Sequence, residues 1–159
     1  MPQTPYTSLQ LYIDGLWLDG GGRLTEAVID PSTEAVLGHL PHASSADLDR
    51  ALAAAARAMP AWAATPAFER GRLLKRTADL IRERLEHIAR VLTLEQGKPL
   101  REARVEIALT ADIFEWMAEE GRRAYGRIVP ARHPDLHWSV HHEPVGVVAA
   151  VAPWHFPGA

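Results

Sequence analysis

Trp154, His155 and Phe156, bracketed by Pro153 and Pro157, are the residues with the clearest chemical promise. They follow directly on Val145-Gly146-Val147-Val148-Ala149-Ala150-Val151-Ala152, an unbroken apolar run of about eight residues, the length of a strand covered on both faces. The pattern predicts a buried parallel strand running straight into an active-site turn, where the imidazole N–H of His155 can donate a hydrogen bond. A strand of that kind needs neighbouring strands and crossover helices on either side. Nothing after Ala159 supplies them, so these 159 residues are expected to fall short of a complete reaction.

Other candidate chemistry weakens on inspection. His133, His137, His141 and His142 invite a metal reading, yet in an extended segment residues four apart lie about 13 Å apart, against Zn–N distances of about 2 Å. A helix would bring them together, and Pro130 and Pro134 argue against one. No metal site is expected, and His39, His42 and His87 read as single surface residues. Gly20-Gly21-Gly22 lacks the spacing of a phosphate-cradling loop and reads as a turn. In Gln96-Gly97-Lys98-Pro99 a lysine follows a glycine, but Gly97 as a helix terminator, with Pro99 blocking continuation, is the simpler account. Glu95, Glu102 and Glu106 have arginines nearby and read as surface pairs or interdomain contacts. The chain has no cysteine, hence no disulfide, no thiolate metal site and no thiol nucleophile.

The composition, 47% hydrophobic over 159 residues, is that of globular material able to bury a core. A net charge of -3 arises from 17 basic and 20 acidic residues that intermingle; Arg70, Arg72, Lys75 and Arg76 alternate with Glu69, Asp79 and Glu83. That is a solvated helix face, and it argues against nucleic acid as a partner. Residues 1–10 lack the basic and apolar regions of a signal peptide. No apolar run approaches the roughly 18 residues that span a membrane, so no membrane association and a cytoplasmic location are expected.

Elements that could position the turn can be read along the chain. Leu11 to Gly20 alternates around Asp14-Gly15, a strong hairpin signal. Strands near Glu26–Asp30 and Ala35–Leu40 turn through Pro31-Ser32-Thr33-Glu34. Ser44 with Asp47 caps a first helix carrying Leu48, Ala51, Leu52, Ala55 and Met59, which should end at Pro60. Thr65 as N-cap and Pro66 open a second, with Leu73, Leu74, Leu80, Ile81, Leu85, Ile88 and Leu92 on one stripe and a break expected near Arg84 to His87. A third, from about Leu100 to Ala124, should bury Val105, Ile107, Ala108, Ala111, Ile113, Phe114 and Met117. Beyond Gly126 the period becomes two, with Leu136, Trp138 and Val140 on the dry face of a strand.

Several motifs in order carry a likeness: Leu94-Glu95-Gln96-Gly97-Lys98-Pro99-Leu100, Glu102-Ala103-Arg104, Glu106-Ile107, Phe114-Glu115-Trp116, Tyr125-Gly126, Glu143-Pro144-Val145-Gly146-Val147 and Pro153-Trp154-His155-Phe156-Pro157. From Tyr12 onward the chain resembles the first third of the NAD(P)-dependent aldehyde dehydrogenase superfamily, nearest the succinate-semialdehyde dehydrogenase group. The resemblance implies an incomplete α/β fold. Residues 1–43 would be an N-terminal antiparallel strand module and 44–124 a helical layer of the cofactor domain. Residues 125–143 would belong to the oligomerisation arm, and 144–159 would be the first strand of the Rossmann-type sheet with its active-site turn.

Aldehyde oxidation in such a family needs a cysteine thiolate, an oxyanion donor, NAD or NADP as hydride acceptor and a general base. By resemblance, Val151, Ala152, Pro153, Trp154 and His155 would line the cofactor cleft; the lesser alternative for Trp154 is a core aromatic after a strand. His155 stands where the family motif carries an asparagine whose amide donates to the oxyanion. An imidazole N–H places its donor differently, so position 155 corresponds either to that donor or to a drifted residue. The resemblance implies a small-molecule aldehyde, a semialdehyde by its nearest group, and a dinucleotide as partners in the complete enzyme, a homo-oligomer (dimer or tetramer). The isolated chain is expected to be inactive. The alternative is a truncated, non-catalytic copy that pairs with a full-length aldehyde dehydrogenase.

Overall fold

Asp14 and Gly15 both take positive φ, 54° and 79°, as a two-residue hairpin turn of type I′ requires. They join β1 (Leu11–Ile13) to β2 (Leu16–Leu18), with Tyr12 opposite Trp17 and their rings 4.7 Å apart. The computed structural model describes residues 6–159. A second hairpin pairs β3 (Thr25–Ile29) with β4 (Val36–Pro41), with a bulge between Val28 and Ile29. Its turn is tied by Asp30, whose Oδ1 accepts from the Ser32 hydroxyl at 2.7 Å and the Ser32 N–H at 2.8 Å; these bonds, the hydroxyl's first, lower the Asp30 pKa.

α1 (Ser45–Ala64) opens on the expected capping box. Asp47, buried, accepts from the Ser44 N–H at 3.0 Å and the Ser44 hydroxyl at 2.8 Å, and Arg23 Nη2 reaches it at 3.0 Å. α1 does not stop at Pro60. The proline removes one N–H, but the alanines on either side, the strongest helix formers, carry the helix past it. Leu48 and Leu52 on its expected stripe are exposed. Thr65 consequently ends α1, its hydroxyl donating to Ala61 O at 2.9 Å, and Pro66 takes the N-cap place of α2 (Ala67–Glu83).

The break falls at Arg84, between α2 and α3 (Leu85–Gln96), and Gly97 ends α3 in the left-handed region at φ 76°. α4 (Leu100–Arg123) packs along α2 and α3. The seam is lined by small residues: Ala78, Ala89, Ala103, Ala111 and Ala118 are all fully buried, with Leu92 and Ile107 beside them. Arg82 bonds Asp112 and Glu115 across α2 and α4, and Arg104 forks onto Glu86 between α4 and α3. Val105, Ile113 and Met117, expected inside, are exposed because α4 carries two apolar strips and turns the small-residue one inward.

β5 (Arg127–Val129) and β6 (Trp138–Val140) form a third antiparallel hairpin, with Val129 opposite Trp138. Its expected dry face is only half covered: Leu136 and Trp138 are 47% and 48% exposed. Residues 145–152, expected as a parallel strand, join no sheet among the described residues. A strand is held by its neighbours' N–H and C=O groups, and without a neighbour Val145 and Val151 stand 93% and 95% exposed. No helix among the described residues is long and apolar enough to cross a membrane.

Candidate functional site

The turn after that exposed run is held from one side by the α3–α4 junction. Gly97 in the left-handed region reverses the chain, its N–H bonded to Thr93 O at 2.9 Å, and Pro99 then starts α4. Gln96 and Lys98 flank the reversal, and both reach the turn. Gln96 Nε2 donates to the carbonyls of Trp154 at 2.6 Å and His155 at 2.9 Å. The Gln96 Oε1 is buried and without a partner, a cost accepted for the two bonds its amide nitrogen makes. Lys98 Nζ donates to His155 O at 3.2 Å, lies 4.4 Å from the centre of the Phe156 ring, and pairs with Glu106.

From α4, Glu106 Oε1 accepts the Gly158 N–H at 2.9 Å, and the Thr110 hydroxyl lies 2.6 Å from Gly158 O and 2.9 Å from Glu106 O. Gly158 fits closely here: a Cβ would come within 2.8 Å of Ile107 Cδ1 and 3.3 Å of Glu106 Oε1. The hydrogen bonds that Gln96, Lys98, Glu106 and Thr110 make to the turn all go to its backbone. The side chains at 154 and 155 stay exposed, with the His155 and Phe156 rings edge to face at 4.3 Å.

The backbone is thus held while the imidazole is presented to solvent. Of the residues expected at the cofactor cleft, Trp154 and His155 share the anchored turn. Val151, Ala152 and Pro153 lead into it and are exposed. Consecutive and exposed, they leave room for a dinucleotide to lie against them. They do not form a cradle for its phosphates, since Lys98, the cation at the turn, is engaged by Glu106 and its side chain is 12% exposed.

Gln96, Lys98, Glu106 and Thr110 are the residues that sequence reasoning missed. Gln96 and Lys98 read in the sequence only as part of a helix end. Glu106, expected in a surface pair or an interdomain contact, has a side chain 2% exposed. A signal existed: it sits three residues from Ala103 and one before Ile107, on the strip of α4 that turns inward.

The model of the aldehyde dehydrogenase family matches residues 17–159. The glutarate-semialdehyde dehydrogenase of Pseudomonas aeruginosa is 44% identical over 150 residues, covering 94% of this chain and 31% of the relative. The NADP(+) succinate-semialdehyde dehydrogenase of Escherichia coli K12 is 42% identical, with 94% and 31% covered. The solved succinate-semialdehyde dehydrogenase of Burkholderia pseudomallei superposes with a TM-score of 0.91 at 40% identity, over 99% of this chain and 33% of that one. The chain therefore spans about a third of the length of the relatives it matches.

Proposed function

Because the chain belongs to the aldehyde dehydrogenase family, we propose that it forms the N-terminal third of a cytoplasmic, homo-oligomeric dehydrogenase that oxidises succinate semialdehyde or a similar semialdehyde to the acid. NAD or NADP would accept the hydride. The observation that carries the reading is the anchored turn at Trp154–Gly158, met in a chain more than 40% identical to semialdehyde enzymes over nearly its whole length. In this reading Val151 to Trp154 line the nicotinamide side of the cleft. His155 offers its ring N–H to the oxygen that becomes negative when the carbonyl is attacked. The sulfur nucleophile and the general base come from outside these 159 residues, which hold no cysteine.

His155 in an asparagine's place is the weak point of such a site, since loss of a well-placed oxyanion donor costs about 100- to 1000-fold in rate. The test joins residues 1–159 to the remaining two thirds of the Pseudomonas aeruginosa enzyme and follows semialdehyde-dependent formation of the reduced dinucleotide. The chimera should turn over, His155→Asn should raise its rate, and the isolated chain should give none above a blank. A folded chimera that is inactive both with His155 in place and after His155→Asn, or turnover by the isolated chain, refutes the proposal. The exposed run from Val145 to Val151 favours one second reading, in which the chain pairs its free strand with a full-length relative. Co-elution of the two would support it, and a chain that elutes apart from its relative removes it.

A further inference from the structure

Glu106 lies on the inward strip of α4 beside Ala103 and Ile107, its side chain 2% exposed. A carboxylate in such a place is tolerated only when its oxygens are occupied. Oε2 meets the Lys98 ammonium, and Oε1 accepts the N–H of Gly158, 52 residues away, at 2.9 Å. Lys98 passes the hold on to the other end of the same turn through His155 O at 3.2 Å. Thr110, one helical turn beyond Glu106, places its hydroxyl 2.6 Å from Gly158 O. A buried pair of this kind is a poor source of stability and a good source of fixed geometry.

We infer that Glu106 is a positioning residue for the active-site turn: by orienting Lys98 and binding the Gly158 N–H, it fixes the backbone from the carbonyl of His155 to the amide of Gly158 and so the angle at which the imidazole is presented. The catalytic consequence rests on position 155 facing the oxyanion, as proposed above. The hold on the turn does not.

The two can be separated. In the 159-residue chain labelled with 15N-glycine, amide exchange is followed at Gly158 and, as a gauge of global opening, at Gly71 inside α2. Glu106→Gln and Thr110→Val should each raise exchange at Gly158 about tenfold over Glu102→Gln, the factor of one hydrogen bond, with Gly71 unchanged. Glu102 is an apt control, being exposed and, among the described residues, paired with Arg101 alone, at 4.0 Å. The contact between the His155 and Phe156 rings should weaken alongside, read as a nuclear Overhauser effect. Exchange at Gly158 that stays level, or rises only in step with Gly71, overturns the inference.

In the chimera, Glu106→Gln should lower kcat about tenfold and move KM by less than about twofold. An unchanged kcat there refutes the catalytic consequence. A chimera inactive without any substitution counts against the functional reading alone, and the exchange at Gly158 still decides the role of Glu106.

Discussion

α2 and α4 lie close together at Gly71, where an added Cβ would lie 3.0 Å from the carbonyl oxygen of Ala118 and 3.1 Å from Arg122 Nε. Two effects oppose each other in Gly71→Ala. Alanine is better than glycine inside a helix by about 0.5–1 kcal/mol. The new methyl, however, meets a backbone oxygen that no rotamer can move, so the helices must part along a seam of buried alanines, and overpacking of this kind costs about 1–3 kcal/mol. The steric cost outweighs the gain in helix propensity, for a net loss of about 1 kcal/mol. Gly121, on α4, has nothing within 4 Å of an added Cβ. Gly121→Ala therefore keeps only the gain, about 0.5–1 kcal/mol. Urea unfolding followed by circular dichroism should move the two midpoints in opposite directions at constant slope. Equal stabilisation by both substitutions would mean that the helices do not approach as described, and the account of how α4 is seated would be wrong.

Asp47 gives a pH prediction: the Arg23 guanidinium first, then the Ser44 N–H and hydroxyl, hold its carboxyl well below the usual carboxylate range. A depressed value in the fold means that stability is full above the unfolded value of about 3.9 and is lost as pH falls through the folded one. The urea midpoint should accordingly drop more between about pH 5 and pH 3 in the wild type than in Asp47→Asn, and parallel drops would refute the linkage. Ile107→Ala, at a site 2% exposed, should cost about 2–5 kcal/mol in the same assay. A cost under about 1 kcal/mol would place Ile107 outside the core. Gly158→Ala should leave the urea midpoint within about 0.5 kcal/mol of wild type yet displace the turn, because its methyl meets the tip of Ile107 at 2.8 Å. Wild-type amide shifts at Ala159 and His155 in that variant would show the fit at Gly158 to be loose.

Features written in local backbone chemistry were legible in the sequence. Asp14-Gly15 demands positive φ at both positions, Gly97 ends a helix, and the overlong second helix breaks within the window expected for it, at Arg84. Features decided by partners were not. Pro60 reads as a stop, yet propensity on both sides outweighs one lost hydrogen bond. On α4 periodicity finds apolar residues but not which strip faces α2; close helix approach selects Ala103, Ala111 and Ala118 over Val105, Ile113 and Met117. Of the candidate site, the turn and His155 were visible. Its supports were hidden, because a glutamate among arginines reads as solvated until a lysine and a distant N–H are brought to it.

The turn keeps its shape although the run leading into it has no strand beside it, and this separates two things usually treated together. In an open α/β sheet the loop at a strand's carboxyl end is commonly thought to be placed by the strand. Here its backbone is gripped at Trp154, His155 and Gly158 by side chains from Gln96 to Thr110, all on α3, α4 and their junction. Those elements rest on the alanine-lined seam with α2, whose buried residues all come from the helices. In this structure position 155 is placed by contacts from the helical layer. The apolar run, tethered at one end by that turn and at the other by the β5–β6 hairpin, pairs with no strand among the described residues. Strand pairing can then occur onto a turn already in position, so a polypeptide that completes the sheet would have to order the strand but not build the turn.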